Sequence, residues 1–98
     1  MNKENIKILM IDDDKEDFQI IEQVVKDIAH PKHSVEWTPS YSEGLKLISQ
    51  KQHDVYLVDY KLGPKTGLEL IKKAIEQGCE APLIILTGDN NFEIDKQA

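Results

Sequence analysis

Carboxylates dominate the residues of this sequence that could do chemistry. Asp12, Asp13 and Asp14 directly follow one apolar stretch, Asp59 follows a second, and Thr87 follows a third. Carboxylates held a few ångströms apart repel one another by roughly 4 kcal/mol per close pair at an effective dielectric constant near 20. We therefore expect a bound cation among them. Mg²⁺ fits best, because it takes oxygen ligands and is usually held by one or two carboxylates while keeping several waters.

The same residues predict phosphoryl chemistry. A carboxylate beside a divalent cation can attack phosphorus, because phosphoryl transfer chiefly requires positioning and neutralisation of the transferred oxygens. Asp59 is the candidate nucleophile, and the Thr87 hydroxyl is a candidate hydrogen-bond donor to a phosphoryl oxygen. Asp14 is instead expected to cap the following helix, because Asp17 comes three residues later and the apolar positions begin at Phe18.

Other candidate ligands are weaker. The histidines His30, His33 and His53 lack the i, i+4 spacing of a metal pair on a helix and lie among polar neighbours, so we expect them at the solvated surface. Trp37 and Tyr56 are expected to pack against helices. Neither a GxGxxG nor a GxxxxGK[ST] pattern occurs, so no nucleotide-binding loop is predicted.

Three short apolar segments must position the acids. Residues 6–11, 55–58 and 83–86 are rich in Ile, Val and Leu without polar alternation, which indicates strands buried on both faces. Residues 34–38 alternate in polarity and are expected to form an edge strand. In open sheets of parallel strands, ligands bind outside the carboxyl ends of the strands, which is where the acids lie.

Segments with helical spacing separate the strands. Their apolar stripes are Phe18, Ile21, Val25 and Ile28, then Leu45 and Ile48, then Leu68, Ile71 and Ile75. Ser40 with Glu43 indicates a helix start, Gly78 a helix end, and residues 92–98 the beginning of a fourth helix. The order β-α-β-α-β-α-β predicts the α/β class, a parallel sheet with helices on both faces.

The composition predicts one small domain. The chain has 98 residues, of which 40% are apolar and 31% charged. A net charge of −6 without a Lys/Arg cluster argues against nucleic acid or a membrane surface as partner. The single cysteine, Cys79, excludes an internal disulfide and agrees with a reducing cytoplasm. No apolar run has the length of a signal or a membrane span, so a cytoplasmic protein is expected.

These motifs resemble the receiver domain of two-component response regulators. The similar segments are IKILMIDDD, VYLVDYKLGPKTGLEL and LIILTGDN, so the resemblance runs the length of the chain. It implies a flavodoxin-like, doubly wound parallel sheet of order 2-1-3-4. It also implies that a sensor histidine kinase or phosphotransfer protein is the phosphoryl donor, and that a downstream effector domain or protein responds.

The resemblance further implies roles for individual residues. Asp59 would be the phosphoacceptor, Asp13 would bind Mg²⁺ directly with Asp12 assisting, and the backbone carbonyl of Lys61 would supply another metal ligand. Thr87 would be the switch hydroxyl that contacts the phosphoryl group.

The resemblance also implies that Lys61 and Asp89 tune the rate at which water removes the phosphoryl group.

One departure from the family pattern concerns the loop after Asp59. Receivers usually carry a proline four residues after the phosphoacceptor, whereas this chain has Gly63 followed by Pro64. This departure alters the shape of the loop more than its chemistry.

A second departure concerns the end of the chain. Receivers have a fifth strand and helix, with a lysine at the end of that strand that pairs with the phosphoryl group. A parallel crossover needs a dozen or more residues after Leu86 and only residues 87–98 remain, so the expected domain, residues 1–98, is a C-terminally incomplete receiver. Its open sheet edge would favour a homodimer or a swapped oligomer.

Two alternative functions remain open. A haloacid-dehalogenase-type phosphohydrolase also has a DxD pair after its first strand, which Asp12 and Asp14 would fit, and a strand-end threonine, which Thr87 would fit. That class leaves Asp59 without a role. The other alternative is a receiver-like interaction module that works without phosphorylation. On the main interpretation the chain is a signalling phosphoacceptor rather than an enzyme, and it promotes its own phosphorylation and dephosphorylation.

Overall fold

The computed structural model describes residues 5–28, 32–86 and 92–94, the last three through their backbone. His30, Thr87 and Asp89, for which the sequence makes predictions, lie outside the described residues, as do residues 95–98.

Strands and helices alternate along the described chain, as the sequence predicts. In chain order the elements are β1 (Asn5–Ile11), α1 (Lys15–Lys26), β2 (Lys32–Thr38), α2 (Tyr41–Ser49), β3 (Val55–Asp59), β4 (Lys61–Leu62), β5 (Lys65–Thr66), α3 (Gly67–Glu76), β6 (Leu83–Leu86) and β7 (Phe92–Ile94). Of the helices in these ranges, none has the length and apolar character needed to cross a bilayer.

The main sheet has the order β2-β1-β3-β6-β7, and its first four strands are parallel. This confirms the predicted order 2-1-3-4, because the predicted fourth strand, residues 83–86, is β6. Alternate residues of a strand face opposite sides of the sheet. On one side, Leu9 and Ile11 of β1 belong to a buried core shared with α2 and α3. On the other side, Trp37 of β2 stacks on Phe18 of α1. Helices therefore cover both faces.

The prediction that a helix begins at Phe92 was wrong. Residues Phe92–Ile94 form β7, which runs antiparallel to β6 with Leu86 opposite Phe92 and Ile84 opposite Ile94. An uncovered edge strand leaves its N–H and C=O groups unpaired, whereas a short helix has little stability of its own. Pairing with β6 therefore outweighs helix formation here. It also covers the edge of β6 through which an oligomer was expected to form.

The buried face of α3 also differs from the predicted stripe. Leu70, Ile71 and Ala74 are fully buried, whereas Leu68 and Ile75 are 39% and 38% exposed. The first residue of α3 lies against β3, so residues three, four and seven positions later face the core. The predicted stripe shares only Ile71 with this buried face: it missed Leu70 and also Gly67 and Ala74, whose small side chains let the helix approach the sheet.

The α1 stripe is confirmed except at its end. Phe18 and Ile21 are half-buried and Val25 is buried, but Ile28 lies beyond the helix and is 40% exposed. Because α1 ends at Lys26, the helical spacing no longer holds at position 28.

The predicted helix ends are present. Asp14 accepts a hydrogen bond from the Glu16 amide at 2.9 Å, and Ser40 accepts one from the Glu43 amide at 3.2 Å. Gly78 follows α3 with φ +94°, a left-handed conformation that glycine adopts without steric cost. These contacts satisfy backbone groups that helix ends leave without intrahelical partners.

The expectation of solvated histidines was wrong for His53. Its side chain is 6% exposed, and its Nε2 lies 2.6 Å from a Glu36 carboxylate oxygen on β2. His33 is half-buried. A buried imidazole is tolerated when it has a hydrogen-bond partner, and this partner is distant in sequence. Tyr56 is buried in the core, as predicted.

Candidate functional site

Asp12, Asp13 and Asp59 meet at the carboxyl ends of β1 and β3. The two strands are parallel neighbours with Ile11 opposite Val58, so the acids that end them lie at one edge of the sheet. One carboxylate oxygen from each acid lies within 4.8 Å of the other two. Three such oxygens form the kind of donor set that binds a hard divalent cation.

The Asp12 carboxylate is the buried member of this group. The side chain is 1% exposed, and Oδ1 accepts a hydrogen bond from the Asp14 amide at 2.8 Å. Oδ2 is buried and has no hydrogen-bond partner among the described residues. A buried carboxylate oxygen without a partner is costly. Asp13 is exposed and Asp59 is half-buried, so the group opens to solvent on one side. The donor set therefore fits Mg²⁺.

Burial and mutual repulsion raise the pKa values of two of the acids. Burial raises the pKa of Asp12 to about 7; the negative charges of Asp59 and Asp17 add to the rise, while the hydrogen bond from the Asp14 amide opposes it. Burial likewise raises the pKa of Asp59 to about 6, with the charge of Asp13 as the next cause. A cation would relieve both the repulsion and the cost of desolvation.

We expect this acidic group to destabilise the cation-free protein as the pH rises. The pKa of Asp12 is about 7 in the folded chain against an ordinary 3.8, so between these values the folded state binds more protons than the unfolded state. Stability falls with rising pH in such an interval. Urea unfolding with a chelator should show that wild type loses stability relative to Asp12→Asn from about pH 4 to about pH 7.

Two controls accompany this measurement. Saturating Mg²⁺ should remove most of the fall, because the ionised carboxylates then have a counter-charge. Glu80→Gln removes an exposed acid at the other end of the sheet. The free energy of unfolding of this variant should change with pH as that of wild type does. A difference between wild type and Asp12→Asn that does not depend on pH would contradict the expectation.

A short hairpin links Asp59 to α3. Lys61 of β4 pairs with Thr66 of β5, and Leu62 is buried in the core at 4% exposure. Gly63 at the turn has φ +67°, a left-handed conformation that glycine adopts without steric cost. Lys61, predicted as a source of a backbone carbonyl ligand, thus lies two residues beyond Asp59 on a segment fixed to the core.

Sequence analysis missed the capping box that starts α3. Thr66 Oγ1 accepts from the Glu69 amide at 3.3 Å, and Glu69 Oε2 accepts from the Thr66 amide at 3.2 Å. The signal was present as threonine followed three residues later by glutamate. The Gly67 amide also donates to the Tyr60 carbonyl at 2.7 Å. The helix start is thereby fixed to the residue after Asp59.

Gly67 packs directly against the backbone of the site. A Cβ atom at this position would lie 2.4 Å from the carbonyl oxygen of Asp59 and 3.0 Å from Cγ1 of Val58. Only glycine fits this contact. The hairpin and the helix can therefore pass close to Asp59 without displacing it.

Trp37 is a further residue of the site that sequence analysis did not assign to it. As predicted, it packs against a helix: its ring stacks on Phe18 of α1, with centroids 5.5 Å apart. In addition, its indole Nε1 donates to the backbone carbonyl of Asp12 at 2.7 Å. No sequence motif indicated this bond, because it joins residues 25 positions apart.

The third predicted position of the site follows β6. Leu86 pairs with Asp59 across the sheet, and its carbonyl accepts from the Tyr60 amide at 3.0 Å. The carboxyl end of β6 is therefore level with that of β3. Thr87 and Asp89 come next in the chain but lie outside the described residues.

Comparison with known proteins identifies the family. The family model described as "Response regulator receiver domain" matches residues 8–98. The chain belongs to this family. The resemblance predicted from the three motifs is thus confirmed, and the protein contains a receiver domain of the two-component response regulators.

The receiver domain is similar to a longer regulator. It is 30% identical over 82 residues to the transcriptional regulatory protein DltR of Streptococcus agalactiae serotype III (strain NEM316), a match covering 84% of this chain and 35% of that protein. The chain spans about a third of the length of such curated relatives.

Two solved structures support the fold. A CheY-like receiver domain protein from Methanospirillum hungatei is 29% identical, with a TM-score of 0.73, covering 85% of this chain and 64% of that one. A response regulator from Burkholderia pseudomallei, with a phosphorylated aspartic acid, a calcium ion and citrate, is 25% identical with a TM-score of 0.70, covering 85% and 47%. These similarities confirm the predicted flavodoxin-like fold.

Proposed function

We propose that this receiver domain accepts a phosphoryl group on Asp59 in a Mg²⁺-dependent reaction. The observation that carries the proposal is the meeting of the Asp12, Asp13 and Asp59 carboxylates, with one buried Asp12 oxygen lacking a described partner. The donor is the phosphohistidine of a sensor kinase or phosphotransfer protein. A similar response regulator from Burkholderia pseudomallei contains a phosphorylated aspartic acid, which supports this chemistry.

The role proposed for each acidic side chain follows from its exposure to solvent. Asp59 is half-buried at the open side of the group, so a carboxylate oxygen can reach a phosphorus atom brought by a partner. Its new O–P bond forms as the N–P bond of the phosphohistidine breaks, which gives an acyl phosphate. Exposed Asp13 would hold Mg²⁺ directly, with buried Asp12 assisting and the Lys61 carbonyl as a further ligand. When bound, Mg²⁺ would supply positive charge that offsets the charge on the transferred oxygens.

Family membership supports the remaining roles. Thr87 contacts the phosphoryl group as the switch hydroxyl, and the side chains of Lys61 and Asp89 tune hydrolysis of the acyl phosphate. The added charge shifts the domain between two states, which changes its affinity for a downstream effector domain or protein. In this proposal residues 1–98 act as a cytoplasmic signalling module, and the receiver itself promotes gain and loss of its phosphoryl group.

The hydrolase alternative is disfavoured by the positions of the acids. A DxD hydrolase would use Asp12 and Asp14, but the Asp14 side chain caps α1 through the Glu16 amide. Asp59, for which that class has no role, is one of the three clustered acids, with Asp12 and Asp13. In a module that never binds phosphate or a cation, the buried Asp12 oxygen without a described partner would cost stability with no compensating ligand.

We expect the chain to form a labile acyl phosphate when incubated with Mg²⁺ and acetyl phosphate. Intact mass spectrometry should show one added phosphoryl group, and omission of Mg²⁺ should prevent its addition. Borohydride reduction followed by peptide mapping should locate the modification at Asp59. Steady turnover of a small phosphate ester, abolished by Asp12→Asn but not by Asp59→Asn, would instead favour the hydrolase.

A further inference from the structure

The two peptide groups that flank the Asp12 Cα atom are both hydrogen-bonded to residues of β2. Its amide N–H donates to the Thr38 carbonyl at 3.1 Å, which continues the parallel ladder one residue past Ile11. Its carbonyl lies beyond the end of that ladder and accepts instead from the Trp37 indole N–H at 2.7 Å. The Trp37 side chain thus supplies a hydrogen-bond donor at a position where a longer β2 would supply a backbone N–H.

This indole bond acts on the part of the backbone that carries the proposed cation ligands. The Asp12 carbonyl and the Asp13 amide belong to one planar peptide group, so fixing the carbonyl fixes the direction in which the chain enters Asp13. The Asp12 side chain is held separately by the Asp14 amide at 2.8 Å. The two bonds together hold the acidic pair in one arrangement.

The indole itself is held in place. Its ring stacks on Phe18 at a centroid distance of 5.5 Å and an interplanar angle of 15°. Phe18 lies in the first turn of α1, where its amide bonds the Asp14 carbonyl at 3.4 Å. A side chain fixed on one face by a ring and at its edge by a hydrogen bond has little freedom to turn away.

We propose that Trp37 is a positioning residue for the cation site, and that its indole N–H orients the Asp12–Asp13 peptide so that both carboxylates face the cation. This inference rests on the proposed function, because it concerns the same site. Trp37 acts only through the backbone and does not contact the cation. Its net effect is that of one intramolecular hydrogen bond held in the folded state.

The sharpest test removes the N–H and keeps the ring. Benzothienylalanine at position 37 replaces the indole N–H with sulphur at nearly constant shape, and Trp37→Phe is a genetically encoded second variant. Calorimetric titration of the full chain with Mg²⁺ should give a dissociation constant raised by about threefold to tenfold, the range that one lost hydrogen bond implies. Phe18→Leu removes the stacked ring and keeps the donor, so it should raise the constant less.

A purely structural role for Trp37 predicts a different pattern. Unfolding by urea in the presence of a chelator would then show lower stability, but the folded variant would bind Mg²⁺ as wild type does, and this result would overturn the inference. Asp12→Asn is included to show that binding occurs at the acidic group. If wild type itself binds no Mg²⁺, the proposed function fails and the inference fails with it.

A measurement on wild type keeps the inference testable even if both variants fail to fold. In an NMR titration with Mg²⁺, the Trp37 indole N–H resonance should shift along the same saturation curve as the Asp13 amide resonance, because both groups belong to the same hydrogen-bonded unit. An indole resonance that stays unchanged while the Asp13 amide saturates would overturn the inference.

Discussion

Asp59→Asn should abolish incorporation of a phosphoryl group from acetyl phosphate. Asparagine is close to isosteric with aspartate, but its amide oxygen is a weak nucleophile and cannot form an acyl phosphate. The substitution also removes a half-buried carboxylate whose pKa is raised to about 6 by burial and then by the charge of Asp13. We therefore expect the folded structure to persist, with greater stability than wild type at neutral pH when cations are chelated.

The matched control for this substitution is Asp14→Asn. It changes the net charge by the same amount, at the residue after Asp13 but outside the carboxylate cluster, and asparagine caps helices as well as aspartate does. Asp14→Asn should accept a phosphoryl group at a rate close to that of wild type by intact mass spectrometry. Incorporation into Asp59→Asn at the wild-type level would show that another residue is the acceptor.

Gly67→Ala should cause the largest loss of stability among single-atom additions at the site. The new Cβ would lie 2.4 Å from the Asp59 carbonyl oxygen, and a backbone atom cannot turn aside as a side-chain tip can. Overpacking of this kind typically costs about 1–3 kcal/mol and occasionally more, and a collision with backbone belongs at the upper end. Phosphoryl transfer should also slow, because relief of the collision moves Asp59.

Gly44→Ala is the control for Gly67→Ala. A Cβ at Gly44 would lie 2.8 Å from Cδ1 of Ile11 and 3.1 Å from its Cγ1 and Cγ2, so it would meet a side chain instead of backbone. Within α2, alanine also favours the helix over glycine by up to about 1 kcal/mol. Urea unfolding should therefore show a smaller loss of stability for Gly44→Ala than for Gly67→Ala. Equal losses in the two variants would contradict the importance of the backbone contact at Gly67.

The parallel strands and the acidic edge were predictable from the sequence because they depend on local patterns. A continuous apolar run defines a buried strand, and the residue after it must lie at the carboxyl end. Asp12 and Asp59 were assigned to one edge on this basis. The start of α3 is marked by an equally local pattern, since Thr66 and Glu69 have the spacing of a capping box, but sequence analysis missed it.

Other features that sequence analysis missed depend on partners distant in the chain. Residues 92–94 form a strand because the edge of β6 is available to pair with, and no property of the segment alone indicates this. His53 contacts Glu36 across 17 positions, and Trp37 donates to Asp12 across 25 positions. Such contacts follow from the register of neighbouring strands, which a single sequence does not specify.

The chain contains one tryptophan, and its indole is hydrogen-bonded to the backbone of the acidic site. Indole emission responds to hydrogen bonding and to nearby charge. Excitation at the long-wavelength edge of the absorption band, where the three tyrosines absorb little, selects this one indole beside Asp12. The arrangement that orients the carboxylates also provides a built-in optical probe. We therefore expect this emission to report the proposed cation binding and phosphorylation in real time, without a dye or a coupled assay.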